Sequence, residues 1–255
     1  MGGPVMRRAV TIPSTSNADD LAFGALVDAV TVADGLDGFR IVGGHMVGLL
    51  LAAFPVPGLQ VRRTIDADAG LSTELAAAGS VVERLRLAGY SPTAGNRFER
   101  QGRTIDLLVE SLDGRFRPRS LGGRQYDASP GFDLALLHPP ITVETTLVFT
   151  DGSSTRVSVP VPTVELATLL KAYSVASRRA AKDLVDLSHL LEIRQHHGAH
   201  DVGGWGLDRT PAVGRRLDVA RILRGIRGDD PRFAVGDVDP IRFTALVREH
   251  IAVVD

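Results

Sequence analysis

The chain has 255 residues, 44% of them hydrophobic and 5% aromatic, with a formal net charge of −1; that length allows one large domain or two small ones, each with a core of its own. The absence of cysteine excludes disulfides, thiolate zinc sites and a cysteine nucleophile. The charge balance excludes a protein that coats nucleic acid over its whole surface, and no run approaches ~18 apolar residues. Behind Arg7 and Arg8 the chain turns polar (Thr11–Asp20), so no signal-peptide core follows and a cytoplasmic globular protein is expected.

Apolar spacing behind Asp19 and Asp20 predicts a helix over Asp19–Ala33. Phe39–Val42 reads as a strand entering a tight turn at Gly43-Gly44, and His45–Phe54 as a helix stopped by Pro55 and Pro57. Val61–Asp68 reads as a strand, and Ser72–Ala88 as one amphipathic helix capped by Ser72, with Gly89 past its end. Tyr90–Arg100 and Gln101–Glu110 read as paired strands turning near Gln101-Gly102, and Asp151-Gly152 joins Thr142–Thr150 to Thr155–Val159 as a hairpin. Beyond Pro160 and Pro162, Thr163–His197, Thr210–Gly225 and Pro240–Val253 carry helical spacing, with loops at Gly203–Arg209 and Gly225–Asp239. The expected organisation is an α/β (α+β) mixed-sheet core over residues 1–160 and a helical C-terminal region over 161–255 packed on it.

Three features bear chemistry. Gly43-Gly44 places flexible backbone between a strand and a helix N-terminus, where free amides and the helix dipole favour a phosphate. Asp66 and Asp68 lie two apart on a strand, so both carboxylates share one face and repel unless a cation sits between them. Asp106 is an acid inside the apolar run Ile105–Leu108, costly there unless it is paired. Plainer structural readings stay open: a turn glycine, a strand-end Asp-x-Asp capped by solvent, an exposed edge-strand acid. Carboxylates more than about 8 Å apart would exclude a shared divalent site.

Only two of the 29 basic residues are lysines, Lys171 and Lys182. On one continuous helix Arg178 and Lys182 fall within about 20° of Lys171, giving a basic face for a triphosphate or merely a solvated one. Asp183 and Asp186 are placed to orient a lysine, or to cap a second helix starting near Ala181. His196-His197-x-x-His200 reads as a frayed helix end, Trp205 as a loop anchor, and Arg115, Arg117, Arg119 and Arg124 with Phe116 and Tyr126 as a loop suited to RNA phosphates or simply to solvent.

Val42-Gly43-Gly44, Arg63-Thr64-Ile65-Asp66-Ala67-Asp68 and Ile105-Asp106-Leu107 together resemble the signature of the nucleotidyltransferase superfamily that includes DNA polymerase β. The Arg-Thr-x-Asp-x-Asp form and Lys182-Asp183-Leu184-Val185-Asp186-Leu187 resemble its AbiEii/MenT group, toxins of bacterial toxin–antitoxin systems. The resemblance implies Mg²⁺ or Mn²⁺ on Asp66, Asp68 and Asp106, with Asp106 nearest the attacking oxygen. It also implies a nucleoside triphosphate held by Gly43, Gly44, Arg63, Arg178, Lys182 and Asp183, and Lys171 as a catalytic charge. The implied acceptor is a tRNA 3′ end and the implied partner a cognate antitoxin. Nucleotidylation of a protein side chain is the alternative within the same chemistry. A non-catalytic nucleotide- or partner-binding module is the other alternative, supported by His45 where the family often carries a serine.

Overall fold

Residues 6–178 and 180–254 are described by the computed structural model; Met1–Val5, Arg179 and Asp255 lie outside them. In chain order the first elements are β1 (Met6–Pro13), α1 (Asn17–Val32), β2 (Phe39–Ile41), α2 (Gly43–Ala53), β3 (Asp66–Leu71), α3 (Thr73–Ala78) and α4 (Ser80–Leu87). Then come β4 (Ser91–Ala94), β5 (Arg97–Arg100), β6 (Arg103–Glu110), β7 (Arg117–Leu121), β8 (Arg124–Ser129), α5 (Phe132–Leu137), β9 (Ile141–Val148) and β10 (Ser154–Val161). Five helices follow: α6 (Val164–Arg178), α7 (Ala181–His196), α8 (Gly214–Arg224), α9 (Arg232–Gly236) and α10 (Pro240–His250). The class is mixed α/β with a helical region, as expected. No described helix is long and apolar enough to cross a membrane.

The chain divides into two compact units. One holds the described residues through Ala53 together with Val61–Pro162; the other holds Phe54–Gln60 and the residues from Thr163 on. The first contains both sheets. In the smaller sheet, β9 lies between β1, parallel to it, and β10, antiparallel. Ile141, Val143, Thr145 and Leu147 of β9 are buried while their neighbours are partly open, the period-two pattern of a sheet with one covered face. In the larger sheet the order runs β2-β3-β6-β5-β4. One edge of β6 pairs in parallel with β3; the other is shared, β5 taking its first half and β8 its last three residues.

Local chemistry sets the boundaries. Ser16 caps α1, its hydroxyl accepting from the Asp19 amide at 3.2 Å, while the Asp19 carboxylate takes the amide and hydroxyl of Thr15, so the helix starts two residues before the expected Asp19. The expected helix Ser72–Ala88 is two helices. Ser72 caps α3 as predicted, but Gly79 adopts φ 72°, ends α3 and starts α4 afresh. The expected strand Val61–Asp68 is also corrected: 61–65 is irregular and the strand begins at Asp66, so the two acids open it rather than close it. Here packing overrides propensity, since Ala67, Ala69 and Gly70 are poor strand formers whose small size lets neighbours close in. The Phe132 ring lies where a Gly70 side chain would stand.

The Gln101-Gly102 hairpin holds, with φ 48° and 79° at its two turn residues. Tyr90–Arg100, however, is two strands, β4 and β5, paired with each other. The Asp151-Gly152 hairpin also holds. The arginine-rich stretch is a loop only at Arg115 and Phe116: Arg117, Arg119 and Arg124 belong to the β7–β8 hairpin, which turns at Gly122-Gly123, and Tyr126 is buried. The polar N-terminal segment forms β1, and the expected loop Gly225–Asp239 contains α9.

In the helical unit, α6 is buried along nearly its whole length, because it packs between α7 and α8. Trp205 anchors its loop as expected, its indole N–H donating to the His250 carbonyl at 2.9 Å. Of the two readings of this stretch, the second helix starting near Ala181 is the one present: α6 ends at Arg178, Ala180 is extended, and α7 begins at Ala181. Lys171 and Lys182 therefore sit on different helices. The His196 region is a helix end as expected, with the His197 Nε2–H donating to the Pro55 carbonyl at 3.0 Å.

Candidate metal and nucleotide site

The site is assembled by β3 and β6. Their parallel register sets Asp68 opposite Asp106, and Asp66 shares the face of Asp68 two residues earlier. One carboxylate oxygen from each of the three residues lies within 4.8 Å of the others. That is well inside the 8 Å at which a shared divalent site would fail. Three carboxylate oxygen donors at this spacing suit the oxygen-ligand preference of Mg²⁺ or Mn²⁺.

Gly43 opens α2 beside this cluster with φ 66°, a conformation that costs an L-residue roughly 1–2 kcal/mol. A side chain there would also overlap the Asp68 carboxylate. Glycine is required twice over: it makes the turn and lets an acid sit against the helix N-terminus. Gly44 is hemmed in as well, since a Cβ would meet Thr64 at 2.8 Å and the Arg62 guanidinium at 3.0 Å. The Thr64 hydroxyl donates to Asp66 at 3.0 Å and so holds that carboxylate in place. The irregular stretch 61–65 thus has a function: it bends two side chains over the start of α2.

Asp106 is nearly buried, and the guanidinium of Arg97 neutralises it through two bonds, Nε to Oδ1 at 2.9 Å and a terminal nitrogen to Oδ2 at 2.7 Å. This is the bidentate fork geometry that makes arginine–carboxylate pairs strong. Motif reading missed Arg97. A signal was present: counting outward from the Gln101-Gly102 turn pairs Arg100 with Arg103, and three steps further Arg97 with Asp106.

Arg63, expected at the nucleotide, turns elsewhere. It donates to the Pro13 carbonyl at 3.2 Å and approaches Asp19 at 3.6 Å, tying the motif strand to β1 and α1. His45 is buried in α2, and its Nε2 has no partner. A cavity of about 30 Å³, enough for a water, is lined by His45, Gly44, Arg62 and Thr64. Burial pushes the imidazole down to about 4 against the pull of Asp66 and a hydrogen bond to the Ala22 backbone. The unfolded chain takes up this proton near pH 6.5, whereas the folded protein resists it until about pH 4. His45 should therefore cost stability as pH falls from 6.5, reaching ~3 kcal/mol near pH 4. Urea midpoints at pH 7, 5.5 and 4.5 should drop less in His45→Gln than in the native chain; parallel slopes would remove this assignment.

The expected residues of the helical unit form a second cluster. Lys171 is buried, with Nζ 2.6 Å from Asp186 and 3.3 Å from Asp183, and exposed Arg178 reaches Asp183 at 3.4 Å. Lys182 is exposed on α7. Gly43, Gly44, Asp66, Asp68 and Asp106 are thus brought together in one unit, and Lys171, Arg178 and Asp183 in the other.

No protein-family model and no curated protein sequence matches the chain. Among solved structures, the chain is similar to the solution structure of the antibiotic-resistance factor ANT(2'')-Ia, with a TM-score of 0.41 and 12% identity over 73% of this chain and 89% of that one.

Proposed function

We propose that the protein transfers a nucleotide from a nucleoside triphosphate to an acceptor hydroxyl at the Asp66–Asp68–Asp106 cluster. The observation that carries this reading is the convergence of three carboxylates from two adjacent parallel strands within 4.8 Å, beside a helix N-terminus opened by Gly43. The donor set suits Mg²⁺ or Mn²⁺, which when bound would polarise the α-phosphate and make the acceptor hydroxyl more acidic. The protein's own residues do the rest. Asp66, Asp68 and Asp106 would hold the cation, Thr64 keeps Asp66 aimed, and the first amides of α2 would receive phosphate oxygens with Arg62 alongside. The acceptor oxygen bonds to the α-phosphorus, pyrophosphate leaves with the electron pair of the broken bond, and the hydroxyl proton passes to water.

The acceptor we favour is a tRNA 3′ end, in an AbiEii/MenT-like toxin countered by an antitoxin. That choice rests on the resemblance of Arg63–Asp68 and Lys182–Leu187 to that group. The test uses triphosphates labelled at the α-phosphate, each incubated with the protein, Mg²⁺ and total tRNA beside an Asp66→Ala control. Label in tRNA that disappears in the control supports the reading, and label in protein redirects it to side-chain nucleotidylation. No transfer with any triphosphate overturns it and leaves a non-catalytic nucleotide- or partner-binding module.

A further inference from the structure

Arg97 is held by the cluster through a bidentate pair with Asp106. Both oxygens of Asp106 are engaged by its guanidinium, at 2.9 and 2.7 Å, so a metal ion that takes either oxygen shares it with a cationic donor and is repelled by that charge. The two partners are built differently. Asp106 sits mid-strand in β6 with a side chain only 13% exposed, fixed by pairing on both edges, whereas the Arg97 side chain is 43% exposed and free on its solvent side to swing. Asp66 and Glu99 also lie within electrostatic reach of the guanidinium, Glu99 on the same face of β5 two residues along. A displaced Arg97 therefore keeps anionic neighbours and is not stranded.

We propose that Arg97 is a resident counter-cation that competes with the divalent ion for Asp106 and thereby sets the affinity of the cluster for metal. The proposal rests on reading the three carboxylates as a cation site. Physically it is an exchange. One unit of positive charge on a tethered fork balances part of the three-carboxylate repulsion, and a divalent ion displaces it at the cost of weakening one of its two hydrogen bonds. A tethered competitor weakens metal binding by the strength of the contact that has to be broken.

The test is Mn²⁺ titration of the full chain without nucleotide, read by the loss of the free-ion electron paramagnetic resonance signal. It compares native protein with Arg97→Gln, Arg97→Lys and Asp66→Ala. Arg97→Gln should bind Mn²⁺ about tenfold more tightly, the equivalent of one bond to a charged group. Arg97→Lys, which keeps the charge but loses the fork, should fall between. Loss of the charge alone would tighten binding in Arg97→Gln and leave Arg97→Lys at the native affinity, so the intermediate value in Arg97→Lys is what marks competition by the fork. Equal or weaker binding in Arg97→Gln, with the native thermal midpoint, overturns the proposal. Should Arg97→Gln fail to fold, Arg97→Lys decides alone, and native affinity in it counts against the exchange. Mn²⁺ binding that requires Asp66 yet ignores Arg97 defeats the proposal and leaves the cation site standing. If Mn²⁺ fails to bind the native chain, or binds undiminished in Asp66→Ala, both fall.

Discussion

Asp68→Asn is expected to lower nucleotide transfer by roughly 10³-fold or more while leaving the thermal midpoint unchanged or slightly raised. A cation at a phosphoryl centre contributes several kcal/mol of transition-state stabilisation, and each 1.36 kcal/mol is about a factor of ten in rate. Asp68 is the central acid of the three: it faces Asp106 across the β3–β6 ladder and lies against the backbone of Gly43. Asparagine keeps its shape and removes one of three like charges packed within 4.8 Å, so the repulsion that folding must overcome falls. The two readouts move in opposite directions, which separates a chemical role from a structural one. Native turnover in Asp68→Asn, measured with Mg²⁺ and the best triphosphate, would rule the cluster out as the reacting centre.

Lys171→Ala should destabilise the protein by about 3–5 kcal/mol. Nζ is held by Asp186 at 2.6 Å and Asp183 at 3.3 Å, both carboxylates being essentially inaccessible. Removing the lysine takes the ammonium away from two buried acids, while exposed Arg178 stays 3.4 Å from Asp183. Breaking one partner of a buried pair is costly because the other stays desolvated and unpaired. For a chain of this size the thermal midpoint should fall by roughly 10 °C. The triple change Lys171→Met, Asp183→Asn, Asp186→Asn should recover most of the loss, since no charge is then left buried. Urea unfolding followed by circular dichroism measures both; a change below about 0.5 kcal/mol in Lys171→Ala would mean the triad carries no stability. Any contribution of Lys171 to turnover has to be read as rate lost beyond the loss of folded protein.

The elements legible from sequence are those written within a few residues. The Gln101-Gly102 and Asp151-Gly152 hairpins, the Ser72 cap and the strand-to-helix turn at Gly43 each follow from backbone freedom or a single side-chain bond, and each is present. Glycine at 79 was equally visible, but whether an αL residue ends a helix or is absorbed into it depends on what packs around it. The acids at positions 66, 68 and 106 were recognisable by type and spacing. Their convergence was not, because β3 and β6 are neighbours joined by no turn: two helices and a hairpin intervene, and lateral strand order is a long-range choice. The same holds for Lys171. Its helical spacing suggested a face shared with Arg178 and Lys182, and only the break at Ala180 and the return of α7 against α6 put Asp183 and Asp186 on its ammonium. Sequence by itself determined which groups can ionise, turn or cap, since those are properties of single residues. Tertiary structure decided which charges meet, since Coulomb and desolvation energies depend on distances that no local rule sets.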